Sequence, residues 1–144
     1  MPIKFIATVL LSLALGAAGG PARAGELIVI VSAKNPLTAL TAEQASDIFL
    51  GQSLRFPNGS EVAALDQTVG VPIRDEFYAK LTGKSPALIK AYWAKMIFTG
   101  RAQPPREVDN SVAIRKMVAD NPGLIGYIDK SALDPSVKAV LVIR

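Results

Sequence analysis

The sequence predicts an α/β fold, a three-layer α/β/α sandwich built around a mixed sheet. Three observations predict it. Leu27 to Val31 is a continuous run of Leu, Ile and Val, the pattern of a strand covered on both faces. Several segments then repeat apolar residues every three or four positions, the period of a helix with one buried stripe. Proline, glycine and asparagine punctuate these segments at short intervals, and the order reads roughly βαβαααββ.

The elements follow in turn. Glu26 to Ser32 is the first strand, of the kind found in a parallel sheet. After a loop, Thr41 is an N-cap and Gln44 completes a capping box. Ala45, Ile48 and Phe49 form that helix's buried stripe, and Gly51 stops it. Phe56-Pro57-Asn58-Gly59 is a turn, and Glu61 to Asp66 a second strand. Pro72 suits the first turn of a helix in which Ile73, Phe77 and Leu81 face inward, ending at Gly83. Ser85-Pro86 opens the next helix, whose Leu88, Ile89, Tyr92, Trp93, Met96 and Ile97 make one wide apolar face. Gly100 closes it, and Arg101 to Arg106 is a loop. Asn110 or Ser111 caps a fourth helix with Ile114, Met117 and Val118 inside, stopped by Asn121-Pro122-Gly123. Leu124 to Ile128 and Val137 to Ile143 are the last strands.

Residues 1–24 read as a cleavable signal peptide. Lys4 supplies the charged start, Phe5 to Leu15 a short apolar core, and Ala22-Arg23-Ala24 the cleavage site. The apolar run falls short of the roughly 20 residues a membrane span needs. The expected mature chain is a single domain, 25–144, in the periplasm. Without Lys4 and Arg23 it keeps fourteen basic and twelve acidic residues, a net charge of +2. That charge is small and scattered, which argues against nucleic acid as a partner. Cysteine is absent, so packing without disulfides must hold the fold, and no lipid-modified cysteine follows the signal. Histidine is absent too, which removes zinc sites and the Ser-His-Asp and Cys-His chemistries. No metal or cofactor is expected.

In open α/β sheets, ligands sit beyond the carboxyl ends of strands. Two loops qualify. The first holds Ser32 and Asn35. The second, Asp66 to Gly70, feeds a helix N-terminus, where free N–H groups and the helix dipole favour an anion. There Gln67 and Thr68 offer side-chain hydrogen bonds, Gly70 allows close backbone approach, and Arg74 is placed to fold over an oxyanion. The same residues also read as a plain turn and a solvated helix face. Thr99-Gly100-Arg101 reads first as a helix end with a solvated arginine, and Arg101 and Arg106, flanking Pro104-Pro105, offer a docking surface for an acidic partner as the alternative. Tyr92, Trp93 and Tyr127 read as core. Asp66, Asp75 and Glu76 are the carboxylates near the second loop, and no spacing pairs them for acid–base work, so no catalytic residue is assigned.

The segment Leu40-Thr-Ala-Glu-Gln-Ala-Ser-Asp-Ile-Phe-Leu-Gly51 resembles the "L-t-x-x-q-v-x-x-I-F-x-G" stretch of the phosphate-binding proteins of ABC transporters. Asn121-Pro-Gly-Leu-Ile-Gly-Tyr127 resembles their "N-P-G-a-I-G-Y" strand entry, and Tyr92 to Arg101 is similar to short stand-alone members. The resemblance implies one lobe of a type II periplasmic-binding-protein fold. It implies phosphate or a related oxyanion as ligand, for uptake or sensing with an inner-membrane transporter or sensor. Full-length members hold the oxyanion between two lobes, through an arginine and a Ser-Gly-Thr run. Here Gln67 stands about where the arginine would be, Val71-Pro72-Ile73 replaces the hydroxyl-bearing run, and the chain is too short for two lobes. Two expectations follow besides simple binding. A homodimer would rebuild the cleft, or the lobe would serve as a ligand-free adaptor docking on a sensor, porin or transporter.

Overall fold

The computed structural model describes residues 25–144, so the expected signal peptide and its cleavage after Ala24 lie outside the described residues. The chain runs β1 (Leu27–Ser32), α1 (Ala42–Phe49), β2 (Ala63–Gln67), α2 (Pro72–Thr82), α3 (Pro86–Phe98), β3 (Arg106–Val108), α4 (Ser111–Asp120), β4 (Leu124–Asp129) and β5 (Val137–Ile143). A single 3-10 turn, Lys130–Ala132, links the last two strands.

The five strands form one sheet in the order β3-β2-β4-β1-β5. β2 is parallel to both β3 and β4. β1 is antiparallel to both β4 and β5, with Leu27 opposite Asp129 and Ile143. The sheet is therefore mixed. The expectation of a parallel setting for β1 fails, although its burial on both faces holds. Burial depends on helices lying above and below the strand, not on the direction of its neighbours.

Those helices are unequally divided. Leu27, Val29 and Val31 point to one face and pack with Phe49 of α1, Phe77 of α2, and Ile89 and Trp93 of α3. Ile28 and Ile30 point to the other and meet Ile114 and Val118 of α4. This is the pleat's period of two dividing one apolar strand between two cores. Gly126 in β4 lets α4 approach closely, since a Cβ there would sit 2.5 Å from Ile114 Cγ2.

Local chemistry fixes the helix ends. The Thr41–Gln44 capping box is formed in both directions. Ser85 caps α3 and Asn110 caps α4, each accepting a backbone N–H three residues on. α2 starts at Pro72 after Val71, which offers no side-chain cap, and ends at Gly83 in the left-handed region (φ 72°).

Two sequence expectations need correction. β3 lies partly in what reads as a loop; it has three residues, too few to show alternation, and pairs only with β2. In α3, the expected wide face is buried only at Ile89 and Trp93, with Tyr92 and Met96 packed at its margin. Leu88 and Ile97 stay 56% and 50% exposed. The helix packs along one side against α2 and the end of α1, and its remaining apolar residues are left in solvent.

Candidate functional site

Asp66 stands near the end of β2 with 1% of its surface exposed, an unusual place for a carboxylate. Its burial is compensated by four donors. Oδ1 accepts the Tyr127 hydroxyl at 2.5 Å and the Gln67 N–H at 2.8 Å. Oδ2 accepts the Tyr78 hydroxyl at 2.6 Å and Arg74 Nε at 3.3 Å. The partners come from β4 and from successive turns of α2, so the carboxylate ties the helix to the sheet. The Tyr127 ring stacks on Phe77 with centroids 3.7 Å apart, and the Arg74 guanidinium lies 5.1 Å from the centre of the Tyr78 ring.

Burial, and then the neighbouring Asp66 charge, push both tyrosine hydroxyls well above their ordinary pKa. They therefore remain protonated donors. With its oxygens filled in this way, Asp66 is a structural acceptor and not a general base.

Beyond this network lies a groove of about 570 Å³. Val69, Gly70 and Arg74 line it from the β2–α2 side, Lys90, Trp93 and Ile97 from α3, and Pro104 and Pro105 from the loop before β3. Most of the wall is apolar. Its charges are mixed: Arg74 and Lys90 against Asp66, Asp75 and Glu107. Arg74 meets Asp66 through Nε alone among the described residues, so its outer nitrogens are the ones available to a ligand. The Trp93 indole nitrogen is buried with no hydrogen-bond partner among the described residues. Among the described residues, no group of three acidic, histidine or cysteine side chains is arranged to hold a metal ion.

The sequence-derived site residues separate into three groups. Ser32 and Asn35 leave the site altogether. β1 runs antiparallel to β4 while β2 runs parallel to it, so the carboxyl ends of β1 and β2 lie at opposite ends of the sheet. Ser32 Oγ donates to the Ala119 carbonyl at 3.1 Å, and Asn35 Nδ2 donates to the Pro122 carbonyl at 2.9 Å. Both brace the exit of α4.

Gln67 and Thr68 adjoin the groove without lining it. Gln67 Nε2 donates to Ser111 Oγ and to the Tyr127 carbonyl, both at 3.2 Å. Thr68 is exposed, and its carbonyl accepts the Val71 N–H. Gly70 and Arg74 do line the groove, and Gly70 takes φ 92°, where a side chain is strained. The loop's N–H groups are less free than its sequence promises. Val69 donates to Glu107 Oε1 at 2.7 Å, Arg74 donates to the Val71 carbonyl at 3.1 Å, and Pro72 has no N–H.

Sequence reasoning passed over Asp66 as the centre of a network, and Lys90 and Pro104 as wall. The carboxylate at the end of an apolar strand is the one signal that was available, since a buried acid demands partners.

A mixed sheet with helices on both faces and a groove beyond a parallel strand end defines the class: an α/β fold of the periplasmic-binding-protein type. No protein-family model matches the sequence, and no curated protein matches it. Solved structures do. A candidate phosphate ABC transporter substrate-binding protein with bound phosphate, from Clostridium perfringens, aligns at TM-score 0.62 and 27% identity over 80% of this chain. An ABC-type phosphate transport receptor from Vibrio cholerae aligns at TM-score 0.63 and 22% identity over 80%. PstS from Borrelia burgdorferi aligns at 0.57 and 16% over 80%. The chain has the fold of the phosphate ABC transporter substrate-binding proteins. It spans less than half of each of these neighbours, 44%, 45% and 46% of their length.

Proposed function

We propose that this chain is a non-catalytic binding module of the periplasm, released from its signal peptide after Ala24, that takes phosphate or a related oxyanion for ABC-type uptake or sensing. The observation that carries the reading is the fold shared with a neighbour that holds phosphate. Arg74 at the groove gives it a chemical basis. The outer guanidinium nitrogens would bind the anion in a fork, Gly70 would let it approach the backbone, and the start of α2 would add its dipole. Asp66 would hold Arg74 in place without competing for the ligand, because its oxygens are already occupied. A lone lobe leaves one side of the anion in water, where each hydrogen bond contributes less; a homodimer would close it.

A thermal-shift panel of phosphate, sulfate, phosphonate, molybdate and a carboxylate control tests the reading. A ligand at a hundred times its dissociation constant adds about 2.7 kcal/mol. That raises the melting temperature by on the order of 10 °C for a domain of this size. Arg74→Ala should weaken binding about tenfold or more, the scale of a charge-assisted hydrogen bond. A flat panel, or calorimetric affinity unchanged in the variant, rejects the site.

A second reading, the adaptor that docks on a membrane sensor, porin or transporter, is favoured by one observation. Gln67, one of the loop's two expected side-chain donors, is spent on Ser111 and the Tyr127 carbonyl.

A further inference from the structure

We infer that the outer face of α3 is a docking surface for an acidic protein segment bearing apolar side chains. The inference rests on the partner half of the reading above and needs no bound oxyanion. Between Glu76 and Glu107 the chain has six basic residues and no acidic one, and α3 lies in the middle of that stretch.

A helix that is apolar on all sides is normally covered on all sides. α3 covers Ile89 and Trp93 against the core. Opposite them, at helical spacing, Ala87, Ala91, Ala94 and Phe98 form an exposed stripe, with Phe98 at 92%. Exposed Leu88 and Lys95 flank it on one side, Ile97 and Lys90 on the other. The result is an apolar strip with a lysine along each margin. That pattern is complementary to an apolar segment flanked by carboxylates. The acidic groups of the adjoining groove, Asp66, Asp75 and Glu107, belong to β2, α2 and β3 and not to this face.

Shape and charge favour a protein over the other occupants. The Ile97 side of the strip is also a wall of the 570 Å³ groove. A bilayer surface would leave such a hollow unfilled, whereas a protein segment can insert side chains into it. A second copy meeting this face through its own α3 would set lysines against lysines.

The test uses the fluorescence of Trp93, the chain's one tryptophan. The probes are two synthetic helical peptides of about four turns. They share the same leucine spacing and carry glutamate in one case and lysine in the other. Phosphatidylglycerol vesicles form a third arm. The glutamate peptide should bind saturably and lose about tenfold or more in affinity between about 50 and 500 mM salt. The lysine peptide should not bind. Phe98→Ser and Lys95→Glu, at exposed positions outside the groove, should each weaken the glutamate peptide about fivefold or more. Both variants should keep the parent's melting curve and its response to the oxyanion panel.

Equal binding of both peptides, binding of neither, or a stronger Phe98-dependent response to vesicles overturns the inference. So does a doubled mass in sedimentation that Phe98→Ser abolishes. A flat oxyanion panel alongside a bound glutamate peptide would reject the oxyanion reading and leave this one standing.

Discussion

Asp66 shows how one buried charge can organise a site without doing its chemistry. The carboxylate is 1% exposed and receives two tyrosine hydroxyls, a backbone N–H and Arg74 Nε. Replacing one member of a buried ion pair leaves the other uncompensated, so Asp66→Asn should cost about 3 kcal/mol. Urea unfolding checks this through a lower midpoint at an unchanged slope. The network also makes a pH prediction. Tyr78 and Tyr127 have pKa values raised in the folded state. In the unfolded chain they ionise near pH 10, so the folded state binds more protons above that pH and stability falls as pH rises. Their contribution is intact below about pH 10, and each tyrosine should remove about 1.4 kcal/mol per pH unit above it. Tyr127→Phe should shallow that alkaline loss, as read from melting curves across the range. It should also lower stability at neutral pH by about 1–2 kcal/mol, because Asp66 loses a donor.

At the scale of elements, the contact between α4 and β4 is the tightest constraint. Gly126 sits where a Cβ would come within 2.5 Å of Ile114 Cγ2, and Ile114 is fully buried and β-branched. Neither side chain has room to swing aside. Gly126→Ala should therefore cost about 1–3 kcal/mol, and the paired change Gly126→Ala with Ile114→Val should not restore it, because valine keeps the γ-methyl that meets the new Cβ. Gly126→Ala with Ile114→Ala should recover part of the clash at the expense of a cavity. Thermal melts of the three variants give the comparison. α3 behaves differently. Its core side is fixed by Ile89 and Trp93, and its outer side carries exposed Leu88, Ile97 and Phe98. Mutations there should change association and leave folding nearly untouched.

For the whole molecule, the last strand closes the fold. β1 is the most buried strand, and β5 is its neighbour on one side and the sheet's edge. Val140 and Ile143 of β5 belong to the core on the three-helix face, and Val137 to the core on the α4 face. Deleting residues 137–144 would turn a strand with five successive apolar residues into a sheet edge with unpaired N–H and C=O groups, a template for aggregation. The truncated chain should lose its near-ultraviolet circular dichroism and bind a hydrophobic dye; a monomeric, cooperatively melting product would contradict the role assigned to β5.

The sequence by itself determined the local units and the class they build. The Thr41 capping box, Pro72 and Ser85-Pro86 at helix starts, and Gly83 at a helix end are written in short-range chemistry that needs no tertiary partner. The run Leu27 to Val31 announces a strand covered on both faces because five successive apolar residues put apolar surface on both sides of the pleat. The tertiary structure decided what depends on strand direction and on which surfaces meet. Ser32 and Asn35 left the site because β1 runs opposite to β2, a fact of pairing that no local pattern encodes. Gln67 turned to Ser111 and the Tyr127 carbonyl, and Asp66 gained Tyr78, Tyr127 and Arg74, because packing brought α2, α4 and β4 onto the end of β2. The apolar residues of α3 look alike in sequence, yet only those facing the core are buried. Hydrophobicity is non-directional, and the geometry of the layers decides which part of it is satisfied within the chain.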